Sequence, residues 1–167
     1  EYINYGQWLG RPREERFFKE PRVIVRQIVS GESKRIYAGY TSEQLYFSQV
    51  GFGIISSSKE ISNQALSVVL SSTLISFYHN YRFLDIEKDV FQKILIANCK
   101  LFPVSKKLNK SASVSIEEKY LSITNAISSH ASLQENFIQL LQSKFELTNA
   151  NTKLKTWPSL DFKGFLA

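Results

Sequence analysis

The chain has 167 residues, of which 43% are apolar and 13% aromatic, and this is enough for one ordinary domain with a packed core. The longest apolar stretches, such as residues 65–74, are broken by Ser and Thr and are shorter than the roughly 20 residues that cross a bilayer, so we expect no membrane segment. The amino end, "EYINYGQWLG", is acidic and aromatic without an apolar core, so we expect no signal peptide. The single cysteine, Cys99, excludes an internal disulfide and fits a reducing cytoplasm. No methionine occurs, even at position 1, so we interpret the chain as a piece of a longer protein.

The net charge of +6 is unevenly distributed along the chain. Residues 1–110 hold 16 Lys and Arg against 10 Asp and Glu, whereas residues 111–167 hold 5 of each sign. Within residues 11–35 there are 8 basic and 4 acidic residues. A basic surface beside a neutral one is typical of proteins that bind a polyanion, although ordinary solubilising charge is the alternative.

The first region, residues 21–57, consists of short runs rich in β-branched and aromatic residues. They read "RVIVRQIV", "KRIYAGYT", "LYFSQV" and "FGIIS", with turn signals between them. In "RIYAGYT", Ile36, Ala38 and Tyr40 fall on one face with a period of two, as in a half-buried strand. These runs predict a curved, mostly antiparallel sheet with one polar face.

A helical period follows the strands. Ser62 is a plausible N-cap, and apolar residues then recur at spacings of three and four. The predicted buried stripe contains Leu66, Val69, Leu70, Thr73, Leu74, Phe77 and Tyr81. We therefore expect one amphipathic helix packed on the sheet, followed by strand-like runs in "DVFQKILIANCKLFPV" that end at Pro103.

The last region is predicted to be helical. Residues 105–115 are basic and serine-rich and are interpreted as a linker, and Ser115 with Glu118 forms a capping box for a helix from about residue 116. A second capping box at Ser132 and Glu135 favours two helices over one long helix. The aromatic tail, residues 154–167, needs a partner surface to cover it. The predicted class is thus α+β, with a helical segment after the sheet.

Residue types that carry chemistry are scarce. His79, His130 and Cys99 give little support for a zinc site or for a nucleophile with an orienting histidine, so we predict no catalytic residue and no metal ligand. His79 is expected to be a surface or core residue of the helix. The sequences "ESK" and "EEK" match half of a nuclease motif, but the first has no aspartate upstream and the second opens a helix.

The linear order of four segments resembles a known family. The segments are "RFFKEPRVIVRQI", "YAGYTSEQLYFSQVGFGII", "LSVVLSSTLISFYHNY" and "FQKILIANCKLFPV". They resemble the TaqI-like C-terminal specificity domain, the DNA target-recognition domain of adenine methyltransferases and of type IIG restriction enzymes that carry such a methyltransferase. The resemblance spans about residues 1–104, and it divides the chain into a target-recognition domain (1–104), a linker (105–115) and a helical spacer or tail (116–167). Ser71, Ser72 and Thr73 stand where the family often has Asn-Ser-Lys.

The resemblance also implies what the parent protein does. Family members methylate the exocyclic amino group of adenine with S-adenosylmethionine, and an Asn- or Asp-Pro-Pro-aromatic loop holds the flipped base. The prolines of this chain, Pro12, Pro21, Pro103 and Pro158, are all isolated. We therefore expect a catalytic domain upstream in a bacterial cytoplasmic protein, and no cofactor in this fragment, which recognises double-stranded DNA. The alternative is a non-catalytic protein-interaction or scaffold module of the same fold.

The predicted DNA contacts combine the resemblance with the basic segment. Arg26 and Gln27 lie in a strand, where Arg can read guanine and Gln adenine, each good pair contributing about 1–3 kcal/mol of discrimination. For Arg26 the alternative is an ion pair that braces the sheet. The complete predicted set is Arg11, Arg13, Arg16, Lys19, Arg22, Arg26, Gln27, Lys34, Arg35 and Tyr37.

Overall fold

A computed structural model describes residues 5–6, 8–29, 34–84, 92–149 and 152–159. The chain forms two compact units, residues 1–120 and residues 121–167. The first contains both sheets and the second is helical, which confirms the α+β class. Among the described residues, no helix combines the length and the apolar character needed to cross a membrane.

A three-stranded antiparallel sheet organises the first unit. Its central strand, β1 (Arg22–Arg26), pairs with β3 (Ala38–Thr41) on one side and with β4 (Gly51–Ile54) on the other. A short strand, β2 (Ile28–Val29), follows β1 and pairs antiparallel with β5 (Gln92–Lys93). The short helix α1 (Arg16–Lys19) precedes β1.

One face of this sheet carries the hydrophobic core. Val23 and Val25 of β1 are 0% and 1% exposed, because they point toward the helices while Ile24 points to the opposite face. The predicted alternation is confirmed, since Ile36 is buried, Ala38 and Tyr40 are half-buried, and the residues between them are exposed. The core cluster consists of Val23, Val25, Val29, Ile36, Phe52, Leu70, Ile75, Ile94 and Phe102.

Two helices, α2 (Asn63–Leu70) and α3 (Thr73–Phe83), replace the single predicted helix. The cap at Ser62 is confirmed, because its hydroxyl accepts a hydrogen bond from the Ala65 amide at 3.1 Å. Ser72 caps the second helix in the same way through the Ile75 amide at 3.3 Å. This restart changes the helical phase.

The predicted buried stripe is therefore wrong beyond the restart. Thr73, Leu74, Phe77 and Tyr81 are exposed, whereas Ile75, Ser76 and His79 are buried. His79 is 0% exposed and packs near the rings of Phe83 and Phe102. It is a core residue.

Two serine hydroxyls join the helical segment to β3 and to Ile36, two residues before β3. The Ser71 hydroxyl accepts from the Ala38 amide at 3.2 Å and donates to the Ala38 carbonyl at 2.8 Å. The Ser76 hydroxyl accepts from the Ile36 amide at 3.1 Å. These bonds fix the register between the helices and residues 36–38.

Two predicted strands are wrong. The run "LYFSQV" is irregular, because the carbonyls of Glu43 and Leu45 accept hydrogen bonds from the Arg22 side chain instead of a neighbouring strand. In "FQKILIANCK" only Gln92–Lys93 is a strand, and Ile96–Cys99 forms the short helix α4. Phe91 and the residues 85–90 before it lie outside the described residues.

The helix α5 (Lys110–Lys144) has 35 residues, about 52 Å at 1.5 Å per residue. It begins earlier than predicted, because the Asn109 side chain accepts from the Ala112 amide at 3.0 Å and Ser115 lies inside the helix. It is continuous through Ser132, so the two-helix prediction is also wrong. Glu146, with a φ of 51°, ends the helix, and the Leu147 amide bonds to the Gln142 carbonyl at 3.0 Å.

The last described residues of the second unit form short helical turns. They are α6 (Thr152–Lys155) and the 3-10 helix Trp157–Ser159. The Trp157 ring lies 4.8 Å from the ring of Phe137, so α5 covers part of the aromatic tail. The tail's other apolar residues, from Leu160 on, lie outside the described residues.

Candidate nucleic-acid interface

The face of the sheet opposite the core bears an open hollow of about 680 Å³. We call it the outer-face hollow. Its floor is β1, whose alternate residues Ile24 and Arg26 point away from the core. The lining residues are Ile24, Arg26, Ile28, Tyr37, Ala38, Gly39, Phe47, Val50, Gly51 and Ser71.

Three arginines surround this hollow. Arg26 lines it directly and is exposed. Arg13 donates to the carbonyl of Gly51, a lining residue, at 3.2 Å, and its guanidinium lies 5.9 Å from the ring centroid of Phe47. Arg35 donates to the Ser71 carbonyl at 3.4 Å. Arg26 thus lines the hollow, and Arg13 and Arg35 bond to the main chain of two lining residues from separate segments; Arg13 also lines a second hollow described below. These guanidinium groups place positive charge beside the hollow.

The α1 cations are partly neutralised by their neighbours. Arg16 pairs with Glu14 at 2.8 Å and lies over the Phe17 ring at 4.9 Å, and Lys19 pairs with Glu15 at 3.0 Å. The hydrogen bond to Glu15 raises the pKa of Lys19 above its usual value. Both ion pairs are exposed and therefore weak, so a phosphate can replace the carboxylate.

Arg22 requires a correction, because its side chain is 0% exposed. Its guanidinium donates to three main-chain carbonyls, those of Glu20 at 2.7 Å, Glu43 at 3.0 Å and Leu45 at 3.1 Å. Burial lowers the pKa of Arg22 from its usual value. A buried guanidinium of this kind holds the loop after β3 against α1 and has no surface left to contact DNA.

The other predicted residues occupy several positions. Arg11 is exposed and lines a second hollow of about 420 Å³ beside Tyr5 and Tyr46. Tyr37 is 51% exposed and lines the outer-face hollow. Gln27 is half-buried. Its main-chain amide donates to the Val50 carbonyl, and its main-chain carbonyl accepts from the Ile94 amide. Lys34, with a φ of 42°, is half-buried next to Arg35.

The apolar part of this surface was not among the residues predicted from the sequence. Ile24, Phe47 and Val50 line the outer-face hollow together with Gly39. The period of two in "RVIVRQ" places Ile24 on the same face as Arg26, which was a usable signal. Phe47 and Val50 were not predicted to lie on this surface, because residues 45–50 resemble a strand in sequence but form a loop.

The comparisons with known proteins give a family for residues 1–104. A family model described as the TaqI-like C-terminal specificity domain matches residues 1–104. The chain belongs to this family. The predicted resemblance is thereby confirmed, and at the level of the family residues 1–104 are the DNA-specificity module of a restriction-modification system.

The C-terminal part of the chain matches a second family model. Residues 109–167 match a family model described as a domain of unknown function (DUF8810). Neither the curated proteins nor the solved structures include a match to the chain. In the described part of the chain, no three His, Cys, Asp or Glu side chains are grouped to hold a metal ion.

Proposed function

We propose that the chain holds duplex DNA against the outer face of its three-stranded sheet and positions it for an adenine-specific methyltransferase domain. The family assignment supports a DNA-specificity module, and the convergence of Arg13, Arg26 and Arg35 on the outer-face hollow supports this particular face. The convergence is the observation that carries the proposal. The proposed parent is a type IIG restriction-modification enzyme that uses S-adenosylmethionine and carries the catalytic domain elsewhere in its polypeptide.

The proposed division of labour follows from charge and shape. Exposed arginines at the rim of a surface contact phosphates and fix the position of the duplex, while side chains on the sheet itself reach base edges. Arg11, Arg13 and Arg35 lie in loops or beside a strand end, and Arg26 lies on the sheet. The first three are therefore assigned to phosphates and Arg26 to a base.

Salt dependence tests the phosphate contacts. The triple variant Arg11→Gln, Arg13→Gln and Arg35→Gln should bind a 20-base-pair duplex more weakly at 100 mM salt. The slope of log affinity against log salt should fall by about one unit for each phosphate that is no longer neutralised.

The matched control removes the same charge from α5 and α6, at Lys119, Lys144 and Lys155, and should leave the slope nearly unchanged. All three lysines lie in the part of the chain that has no net charge. If the control variant bound DNA more weakly than the arginine variant, the DNA would lie on the helices and the proposed surface would be wrong.

Base reading is tested separately from affinity. Replacing Arg26 or Gln27 by Ala should relax the preferred sequence at one position, because removing a bidentate pair costs about 1–3 kcal/mol at that base pair only. A selection from a random duplex library measures this directly. An equal loss of affinity for every sequence would assign the two residues to the phosphate backbone or to the fold.

Catalysis is tested by radiolabel transfer. With labelled S-adenosylmethionine and duplex DNA, the chain should transfer no methyl group above background, because it contains no Asn- or Asp-Pro-Pro-aromatic loop. Label in adenine would contradict the proposed separation of recognition from chemistry.

One observation favours protein binding as a second candidate function. Every residue of α5 from 121 to 133 is exposed, and the apolar residues there include Ile123 at 62%, Ile127 at 65% and Leu133 at 69%. Exposed apolar residues on a long helix are typical of a helix that binds another protein. Sedimentation equilibrium of the wild-type chain and of the Ile123→Glu, Ile127→Glu variant tests the case in which the partner is a second copy of the chain, since only an association through α5 disappears in the variant.

A further inference from the structure

The outer face of the sheet is nearly bare around Ile24. The strand register places Gly39 of β3 and Gly53 of β4 directly opposite Ile24, one on each side. Side chains of directly opposite residues share a face, so two positions beside Ile24 carry no side chain. The outer-face hollow exists because Ile24 is flanked by these two glycines.

The two glycines differ in what occupies the space above them. A Cβ atom added at Gly53 would lie 3.3 Å from the Phe17 carbonyl oxygen and 3.4 Å from the Phe17 ring, so α1 already covers that side. A Cβ atom added at Gly39 would meet no atom within 4 Å. The hollow is therefore open above Gly39 and Ile24.

The rim of the hollow is apolar and exposed next to charged groups. Tyr37 is 51% exposed and Val50 is 57% exposed, and Phe47 and Ile24 are half-buried. On a face that binds DNA, a concave apolar surface needs an apolar group of the DNA to fill it. In the major groove only thymine offers one, its 5-methyl group, because the other base edges present polar donors and acceptors there.

We propose that the outer-face hollow reads a thymine through its 5-methyl group, beside a base pair contacted by Arg26. The inference rests on the proposed function and names the base that the same surface selects. Ile24 and Arg26 are two residues apart on one strand, about 6.6 Å, which is close to two base-pair steps of about 3.4 Å each. The selected thymine lies within two base pairs of the guanine that Arg26 contacts.

The first experiment removes the methyl group from the DNA. Duplexes that bind the full 167-residue chain are selected from a random library, and each thymine of the preferred sequence is then replaced singly by deoxyuridine. At one position, affinity should fall about fourfold, the effect expected from leaving one methyl group unburied. The other positions should change by less than about twofold.

The second experiment fills the hollow. Gly39→Val adds a β-branched side chain to open space on a strand, which the strand accommodates. The variant should bind the thymine and deoxyuridine duplexes equally, because the methyl group no longer enters. Gly10→Val is the matched control, since a Cβ atom there also meets nothing within 4 Å but Gly10 does not line the hollow. It should keep the fourfold difference.

Far-ultraviolet circular dichroism and urea unfolding establish that the variants are folded. If Gly39→Val does not fold, Val50→Ser carries the test, because it replaces an exposed apolar rim residue by a small polar one and should also reduce the thymine preference.

The outcomes separate this inference from the proposed function. Salt-dependent binding with no deoxyuridine effect at any position, or a fourfold difference retained in Gly39→Val, overturns the thymine site and leaves the DNA-binding face in place. Absence of any binding to duplex DNA at 50 mM salt overturns the proposed function itself.

Discussion

Arg22→Met is expected to destabilise the first unit without a direct effect on DNA contacts. Methionine keeps the aliphatic stem but removes the donors to the carbonyls of Glu20, Glu43 and Leu45. Hydrogen bonds from a charged group contribute about 1.5–3 kcal/mol each, so three of them set an upper range of about 5–9 kcal/mol.

Two effects reduce this figure. The loop that contains Glu43 and Leu45 is at the surface, so its carbonyls regain water when the guanidinium is removed. The cost of burying the Arg22 charge also disappears with the side chain. The expected loss is about 3 kcal/mol, a large part of the 5–15 kcal/mol that stabilises an ordinary domain.

Urea unfolding of the whole chain measures the loss. For a slope of about 2 kcal/mol/M, the midpoint should fall by about 1.5 M. Arg11→Met is the control, since it removes the same charge from an exposed side chain and should leave the midpoint within about 0.3 M. Arg22→Lys should recover less than half of the loss, because one ammonium group does not span carbonyls on two sides.

A loss below about 1 kcal/mol in Arg22→Met, together with a smaller salt slope for DNA binding, would refute this reasoning. Arg22 would then face the nucleic acid, as its position in the basic segment first suggested, and the hydrogen bonds to the carbonyls of Glu43 and Leu45 would not be what holds the loop.

Three further predictions concern His79, Cys99 and Ser72. Burial lowers the pKa of His79 below its usual 6.5, so the unfolded chain takes up the proton first and stability falls as the pH drops below 6.5. Between pH 7.5 and 5.5, urea unfolding should show a larger loss of stability for the wild type than for His79→Leu, and equal losses would contradict the burial argument. Burial raises the pKa of Cys99 to about 11, so iodoacetamide at pH 8 should alkylate the folded chain about a hundredfold more slowly than the urea-unfolded chain; similar rates would show that the thiol is accessible. Ser72→Ala removes the cap of α3 and should lower the free energy of unfolding by about 1 kcal/mol, whereas Ser58→Ala, an exposed loop control, should change it by less than about 0.5 kcal/mol.

The sequence predicted those features that depend on neighbouring residues. The period of two at Ile36, Ala38 and Tyr40 and the cap at Ser62 follow from local geometry, and both are present in the structure. The family was also accessible, because its segments occur in a fixed order along the chain.

Features set by distant contacts were predicted incorrectly. Nothing near Arg22 in sequence shows that carbonyls more than 20 residues away will surround its guanidinium. The serines at 71 and 72 resemble ordinary helix surface, but one bonds to β3 and the other starts a new helix, and so the stripe beyond them changes face. Likewise, α5 begins after Asn109, whose side chain accepts from the Ala112 amide, and not at the capping box predicted at Ser115.

The serine bonds to residues 36–38 have a consequence for association between molecules. β3 is an edge strand, and an edge strand whose amides and carbonyls point outward is a template for pairing with another chain. Here the amide of Ile36 is already bonded to the Ser76 hydroxyl, and the amide and carbonyl of Ala38 are bonded to the Ser71 hydroxyl. That part of the edge has no main-chain donor left to offer to a neighbouring molecule. The exposed, partly apolar face of the sheet can therefore remain open to a ligand while Ser71 and Ser76 discourage the addition of a strand at this part of the β3 edge.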